Sequence, residues 1–101
     1  MSITCTGEDR EICISLTGEV DHHHARGMMG ELDREIDASL PRQVTLDLGG
    51  VTFMDSSGIA VVLRCFKRVR ELGGVTVVRN VPAHAGKVLR AAGLDKLMRF
   101  E

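Results

Sequence analysis

The spacing of apolar residues in this chain switches several times from one end to the other, and the switching fixes the class of fold. Ile3 and Cys5, then Ile12, Ile14 and Leu16, recur at every second position, the period of a strand with one buried face. Gly7 to Arg10 between them is polar turn material, so the chain is expected to open with a hairpin. After Gly18 the period lengthens. Ala25, Met28 or Met29, Leu32, Ile36 and Leu40 return every three or four residues, with Glu31, Arg34, Glu35 and Asp37 between them. This is the pattern of an amphipathic helix with one buried stripe. Asp21 stands where a carboxylate can cap it, and Pro41 where it must stop.

The alternation then repeats. Val44, Leu46 and Leu48 alternate with Thr45 and Asp47 in a strand, and Ser57 to Leu72 reads as a helix ended by Gly73-Gly74. Ile59, Val62, Leu63, Phe66 and Val69 are expected on its apolar face. Val75 to Val78 is a nearly continuous β-branched run, as expected of a strand buried on both sides. Val81-Pro82 opens a further helix with Val88, Leu89 and Ala92 inward; Gly93 ends it, and Leu94 to Phe100 forms a last short element. The order strand, strand, helix, strand, helix, strand, helix predicts a small α/β domain over residues 1–101. Its mixed β-sheet would begin with the hairpin and continue as parallel βαβ units with right-handed crossovers, the helices packed on the sheet.

Composition narrows the function. With 101 residues, 44% of them apolar, there is material for one modest core and not for two domains. Thirteen basic against fourteen acidic side chains, and only three aromatics, supply neither the basic surface nor the stacking platforms of a nucleic-acid binder, so no nucleic-acid partner is expected. The longest apolar run, Ile59 to Leu63, falls far short of the roughly 20 residues that span a bilayer, and Met1 to Glu11 lacks the apolar core of a secretory signal. Neither membrane association nor export is expected. Cys5, Cys13 and Cys65 are odd in number and without C-x-x-C spacing, which reads as reduced thiols in the cytoplasm.

Chemistry concentrates where the third strand meets the second helix, at Asp55-Ser56-Ser57-Gly58. This is the carboxyl edge of the sheet, where open α/β folds place their sites. Asp and Ser are favoured helix caps and Gly permits a tight turn, which accounts for Asp55 and one serine but leaves the second over. His22-His23-His24 invites a metal, yet neighbours on a helix point roughly 100 degrees apart and cannot share one ion, so no metal is expected. Ser56 or Ser57 as a nucleophile lacks the G-x-S-x-G elbow and a histidine placed by sequence as base, so no enzyme is expected. Gly86-Lys87 lacks the upstream glycine of a phosphate-binding loop, and no cofactor is expected. Arg64, Lys67, Arg68 and Arg70 suit the negative end of a helix, as a solvated face or a docking stripe. Met28, Met29 and Met54 read as core filler.

The run Val51-Thr52-Phe53-Met54-Asp55-Ser56-Ser57-Gly58-Ile59-Ala60, with Leu16-Thr17-Gly18-Glu19-Val20-Asp21-His22-His23 before it and Ala92-Gly93-Leu94 after it, resembles the anti-sigma factor antagonists of the STAS domain family. The resemblance covers nearly the whole chain. It implies that Ser56 is the serine phosphorylated by a GHKL-type partner that is both kinase and anti-sigma factor. The unmodified form would bind that partner and release the sigma factor, the phosphorylated form would let go, and a serine phosphatase would reset it. Asp55 would orient Ser56 or contact the kinase, Ser57 would share the partner surface, and Gly58 would keep that surface open. Asp21 would help dock the partner, simple N-capping being the equal alternative. Ala60 stands where many members have a second glycine, which stiffens the helix start. STAS domains also serve as accessory subunits of transport complexes such as lipid-transport ATPases; the compact length and the Asp55-Ser56-Ser57-Gly58 motif favour the sigma-factor circuit. A monomer is expected.

Overall fold

The computed structural model describes residues 2–101. Strand β1 (Ser2–Glu8) and β2 (Glu11–Val20) pair antiparallel through a tight turn. Helix α1 (His22–Ser39), β3 (Gln43–Met54), α2 (Ser57–Glu71), β4 (Val75–Arg79) and α3 (Ala83–Ala91) follow, with a short 3-10 turn at Leu94–Lys96 and β5 (Arg99–Phe100). The sheet has five strands in the order β1-β2-β3-β4-β5, with every pair after the hairpin parallel. The α/β fold with an opening hairpin and βαβ units is therefore the one expected. Each crossover leads to the adjacent strand, so right-handed connections put all three helices on one face, where α1 packs against α2 and α2 against α3.

That face holds the core. Ile14, Leu16, Val44, Leu46, Leu48 and Val78 from the sheet are fully buried beneath Met28, Leu32 and Ile36 of α1 and Val61, Val62, Cys65 and Val69 of α2. Each large side chain so buried contributes about 1.5–3 kcal/mol. Met28 and Met54 are core filler as expected, and Met29 lies half-buried against the core. Burial pushes the Cys65 thiol up to about 12, and desolvation followed by a hydrogen bond with Glu35 raises that of Cys5, so neither is a reactive thiolate. Among the described residues no helix is long and apolar enough to cross a membrane.

Several details differ from the periodicity. Leu40, expected in the buried stripe of α1, is 50% exposed in a left-handed conformation (φ 46°). Pro41 forbids another helical turn, and the Arg10 side chain takes the freed Leu40 carbonyl at 2.7 Å. The buried face of α2 centres on Gly58, Val61, Val62, Cys65 and Val69, while Ile59, Leu63 and Phe66 sit half-buried at its margins. Val75 is exposed because β5 reaches only Val77 and Val78 of β4. In α3 Leu89 is buried as expected and Val88 half-buried, Ala85 is buried as well, and Ala92 is exposed, since the helix ends at Ala91. The arginines of α2 are engaged: Arg64 donates to Asp33 of α1 at 2.7 Å, and Arg68 to Asp37, so half of the expected stripe ties two helices together.

Strand β3 runs through Gly49-Gly50 to Met54. Between Ser15 and Thr17 the register with β2 shifts by one residue, and the bulge needs a position without a side chain, because a Cβ on Gly50 would lie 2.6 Å from the Thr17 methyl. Asp47 holds the bulge. Its carboxylate accepts from Gly49 N at 2.8 Å and Asn80 Nδ2 at 3.1 Å, with Arg79 at 3.4 Å. The Gly49 bond is the foremost cause that keeps the Asp47 carboxyl below its ordinary value, aided by Asn80 and Arg79 and opposed by desolvation. A depressed folded-state value means the stabilisation is present above the unfolded value of about 4 and fades as the pH falls through the folded one. Asp47→Asn should therefore cost about 1 kcal/mol at neutral pH, and its gap from wild type in thermal melts should close below about pH 4.

Candidate partner-binding site

Two strand-to-helix turns, β2 to α1 and β3 to α2, lie side by side because β2 and β3 are parallel neighbours paired as far as Val20 and Met54. The Asp55 amide donates to the Val20 carbonyl at 3.2 Å and continues that pairing. The Asp55 carboxylate then serves both helices. Oδ1 accepts from Ser57 N at 2.7 Å, in the Asx turn that starts α2, and Oδ2 accepts from His22 N at 3.2 Å, the first residue of α1. One side chain thus joins two helix N-termini, where a negative charge is favoured.

Asp21 caps α1 as its sequence position suggested. Its backbone is extended (φ −122°, ψ −179°), the usual N-cap geometry, and Oδ1 accepts from His24 N at 3.1 Å and meets His24 Nδ1 at 2.7 Å. Desolvation pushes this carboxyl up, but the hydrogen bonds and charge of His24 outweigh it and hold it below the ordinary value. The ring of His24 is therefore spent on Asp21, while His22 and His23 are exposed.

Ser56 has the formal N-cap position of α2 but is already helical (φ −62°, ψ −18°), and its side chain caps nothing. An N-cap side chain reaches back to the helix only from an extended backbone. With Asp55 supplying the cap, the Ser56 side chain is exposed and its hydroxyl is left to solvent. Ser57 is half-buried beside it. Gly58, expected to keep a partner surface open, is instead buried: a Cβ there would lie 2.3 Å from Cγ of Met54. The glycine lets the first turn of α2 settle on the core.

Asp21, Asp55, Ser56 and Ser57 therefore meet at one corner, with Gly58 beneath it. A groove of about 490 Å³ opens there between α1 and α2, lined by His22, Arg26, Met29, Ser57 and Ala60 among others. The structure adds Phe53 and His84, which the sequence did not mark. Phe53 is 43% exposed and stacks on His84 with centroids 5.5 Å apart, and His84 Nε2 lies 2.9 Å from the Met54 carbonyl. An aromatic at an outward strand position is the one signal for Phe53. Nothing local marks His84, which arrives from α3.

A family model described as STAS domain matches residues 2–101. An anti-sigma F factor antagonist of Paenibacillus polymyxa is 32% identical over 87 residues, covering 86% of this chain and 74% of the relative. Among solved structures, the anti-sigma factor antagonist SpoIIAA in its unphosphorylated form superposes with a TM-score of 0.82 at 25% identity, over 99% of this chain and 88% of the other. The Bacillus cell fate determinant SpoIIAA in its phosphorylated form gives a TM-score of 0.74 at 25% identity, over 99% of this chain and 91% of that one.

Proposed function

The chain belongs to the STAS domain family, and from that premise we propose that it is an anti-sigma factor antagonist whose grip on its partner is gated by phosphorylation of Ser56. The observation that carries this reading is the division of labour at the β3–α2 turn. Asp55 does all the capping, so Ser56 stands at the surface with a hydroxyl that caps nothing. The relatives named as antagonists of an anti-sigma factor, and a fold neighbour known in both phosphorylated and unphosphorylated forms, point the same way.

Ser56 Oγ attacks the γ-phosphorus of ATP held by a GHKL-type kinase that is itself the anti-sigma factor. The Oγ–P bond forms, the bond to ADP breaks, and the hydroxyl proton passes to a base of the kinase. The product carries about −1.5 to −2 charges. Free N–H groups at a helix start would ordinarily absorb such charge. Here they do not: Ser57 N is bonded to the Asp55 carboxylate, Gly58 N to the Asp55 carbonyl and Ile59 N to the Ser56 carbonyl. The phosphate stands beside Asp55 with its charge uncompensated, and a partner that had covered a neutral hydroxyl would have to desolvate two adjacent anions. A serine phosphatase restores the hydroxyl by hydrolysis. Because the switch consumes ATP, the reading places the chain in the cytoplasm.

Asp21, Ser57 and the α1–α2 groove complete the docking surface in this reading, Asp21 with its cap already in place. Incubation with ATP and a GHKL-type kinase that binds this chain should add one phosphate, about 80 Da by intact mass, to wild type and none to Ser56→Ala. Equal phosphate on both proteins would refute the assignment.

A further inference from the structure

At the opposite end of the sheet from Ser56, a cavity of about 440 Å³ opens beside the first residues of β4, between the end of α2 and the Leu97–Arg99 segment. It exists because β5 pairs with only Val77 and Val78, leaving the Val75–Thr76 edge of β4 uncovered. Its volume lies within the range of small-molecule sites, which are apolar with a few converging polar groups.

The wall has that make-up. Phe66, Val75 and Leu97 line it, and Val75 and Leu97 are 58% and 50% exposed. Arg70 and Arg99 flank them. Arg99 is already held by Glu101 at 2.8 Å, whereas Arg70 lies over the Phe66 ring, 5.9 Å from its centroid, and has no carboxylate partner among the described residues. Stacking leaves the edge of a guanidinium free to donate in its plane. Thr76, 5% exposed, also lines the cavity, and its hydroxyl is the one buried side-chain polar atom among the described residues without a partner.

We propose that this cavity is a binding site for a small amphipathic monocarboxylate. The apolar body would lie on Phe66, Val75 and Leu97, and the carboxylate on Arg70. A single uncommitted guanidinium balances one negative charge, which favours a carboxylate over a phosphate dianion. The site is independent of the Ser56 reading and stands or falls without it.

The test uses the whole chain, octanoate as probe and octanol as its uncharged counterpart, followed by amide NMR shifts. Octanoate is expected to bind with a dissociation constant of about 0.1–1 mM and to move the amides of Val75 to Val77 and Leu97 to Arg99. Octanol should bind about tenfold more weakly, and Arg70→Gln should weaken octanoate by a similar factor. Leu97→Glu, which puts a like charge in the wall, should abolish binding. Both substitutions are at exposed positions, and dispersed spectra would verify that each variant is folded. Octanol binding as well as octanoate, shifts centred elsewhere, an Arg70→Gln protein that binds as wild type does, or no saturable shifts below about 10 mM would each overturn the proposal.

Discussion

Replacing Ser56 with Asp should weaken binding to the anti-sigma factor by about 100-fold or more, while Ser56→Ala stays within about threefold of wild type. A 100-fold loss is about 2.7 kcal/mol. In the free protein, solvent screens the new carboxylate from Asp55. Once a partner excludes that solvent, two unit charges about 4 Å apart at an effective dielectric of about 20 repel by about 4 kcal/mol. The cost therefore arises on association and not on folding. Isothermal titration of the three proteins against the purified anti-sigma factor measures it, and thermal melts should show the Asp variant as stable as wild type, since the Ser56 side chain makes no cap bond to lose. An Asp variant that binds as tightly as the native chain would end the electrostatic account.

Gly58→Ala should lower stability by about 1–3 kcal/mol, the usual penalty for forcing a methyl into a filled core, and the melting temperature by about 5–15 °C for a domain of this size. The added carbon would meet Met54 at Cγ, 2.3 Å away, and at Sδ, 2.6 Å away, and Met54 is only 1% exposed. Either the methionine leaves its place or the first turn of α2 lifts from the sheet, carrying Ser56 and Ser57 with it. Gly27→Ala is the matched control. That glycine is exposed within α1 and has nothing within 4 Å of an added Cβ, so the same change should stabilise by about 0.5–1 kcal/mol. Denaturant melts that fail to separate the two variants would show that Gly58 is not a packing constraint.

Much of the fold was legible because it depends on local pattern. The two-residue period of Ile12, Ile14 and Leu16 names a strand whatever surrounds it, and Pro41 stops a helix by its own covalent structure. The errors lie where tertiary contacts decide. On α2 the period places Val62 and Val69 correctly but misses Gly58, Val61 and Cys65, because Gly58 has no side chain to show that it faces the core. Nothing local at Gly49-Gly50 marks a bulge, which only the register with β2 shows. The pairing of Arg64 and Arg68 with Asp33 and Asp37 joins residues about thirty positions apart, beyond any window of periodicity.

At the candidate site the residue types were legible and their duties were not. Asp55 and the serines stood out as possible caps, but sequence alone could not divide the work among them. The backbone of Ser56 turns helical one residue early, and that denies the serine its cap and gives it to Asp55. The second bond of Asp55, to His22 across 33 residues, needed the parallel pairing of β2 and β3. Phe53 and His84 come together by the same long-range closure.

The strands lie in space in the same sequence in which they are made. No strand has to wait for a later one to be inserted beside it: as the chain leaves the ribosome, each unit finds its neighbour already in place, and only the growing edge stays open. Such a sheet can be extended during synthesis from its first hairpin onward, one helical crossover at a time.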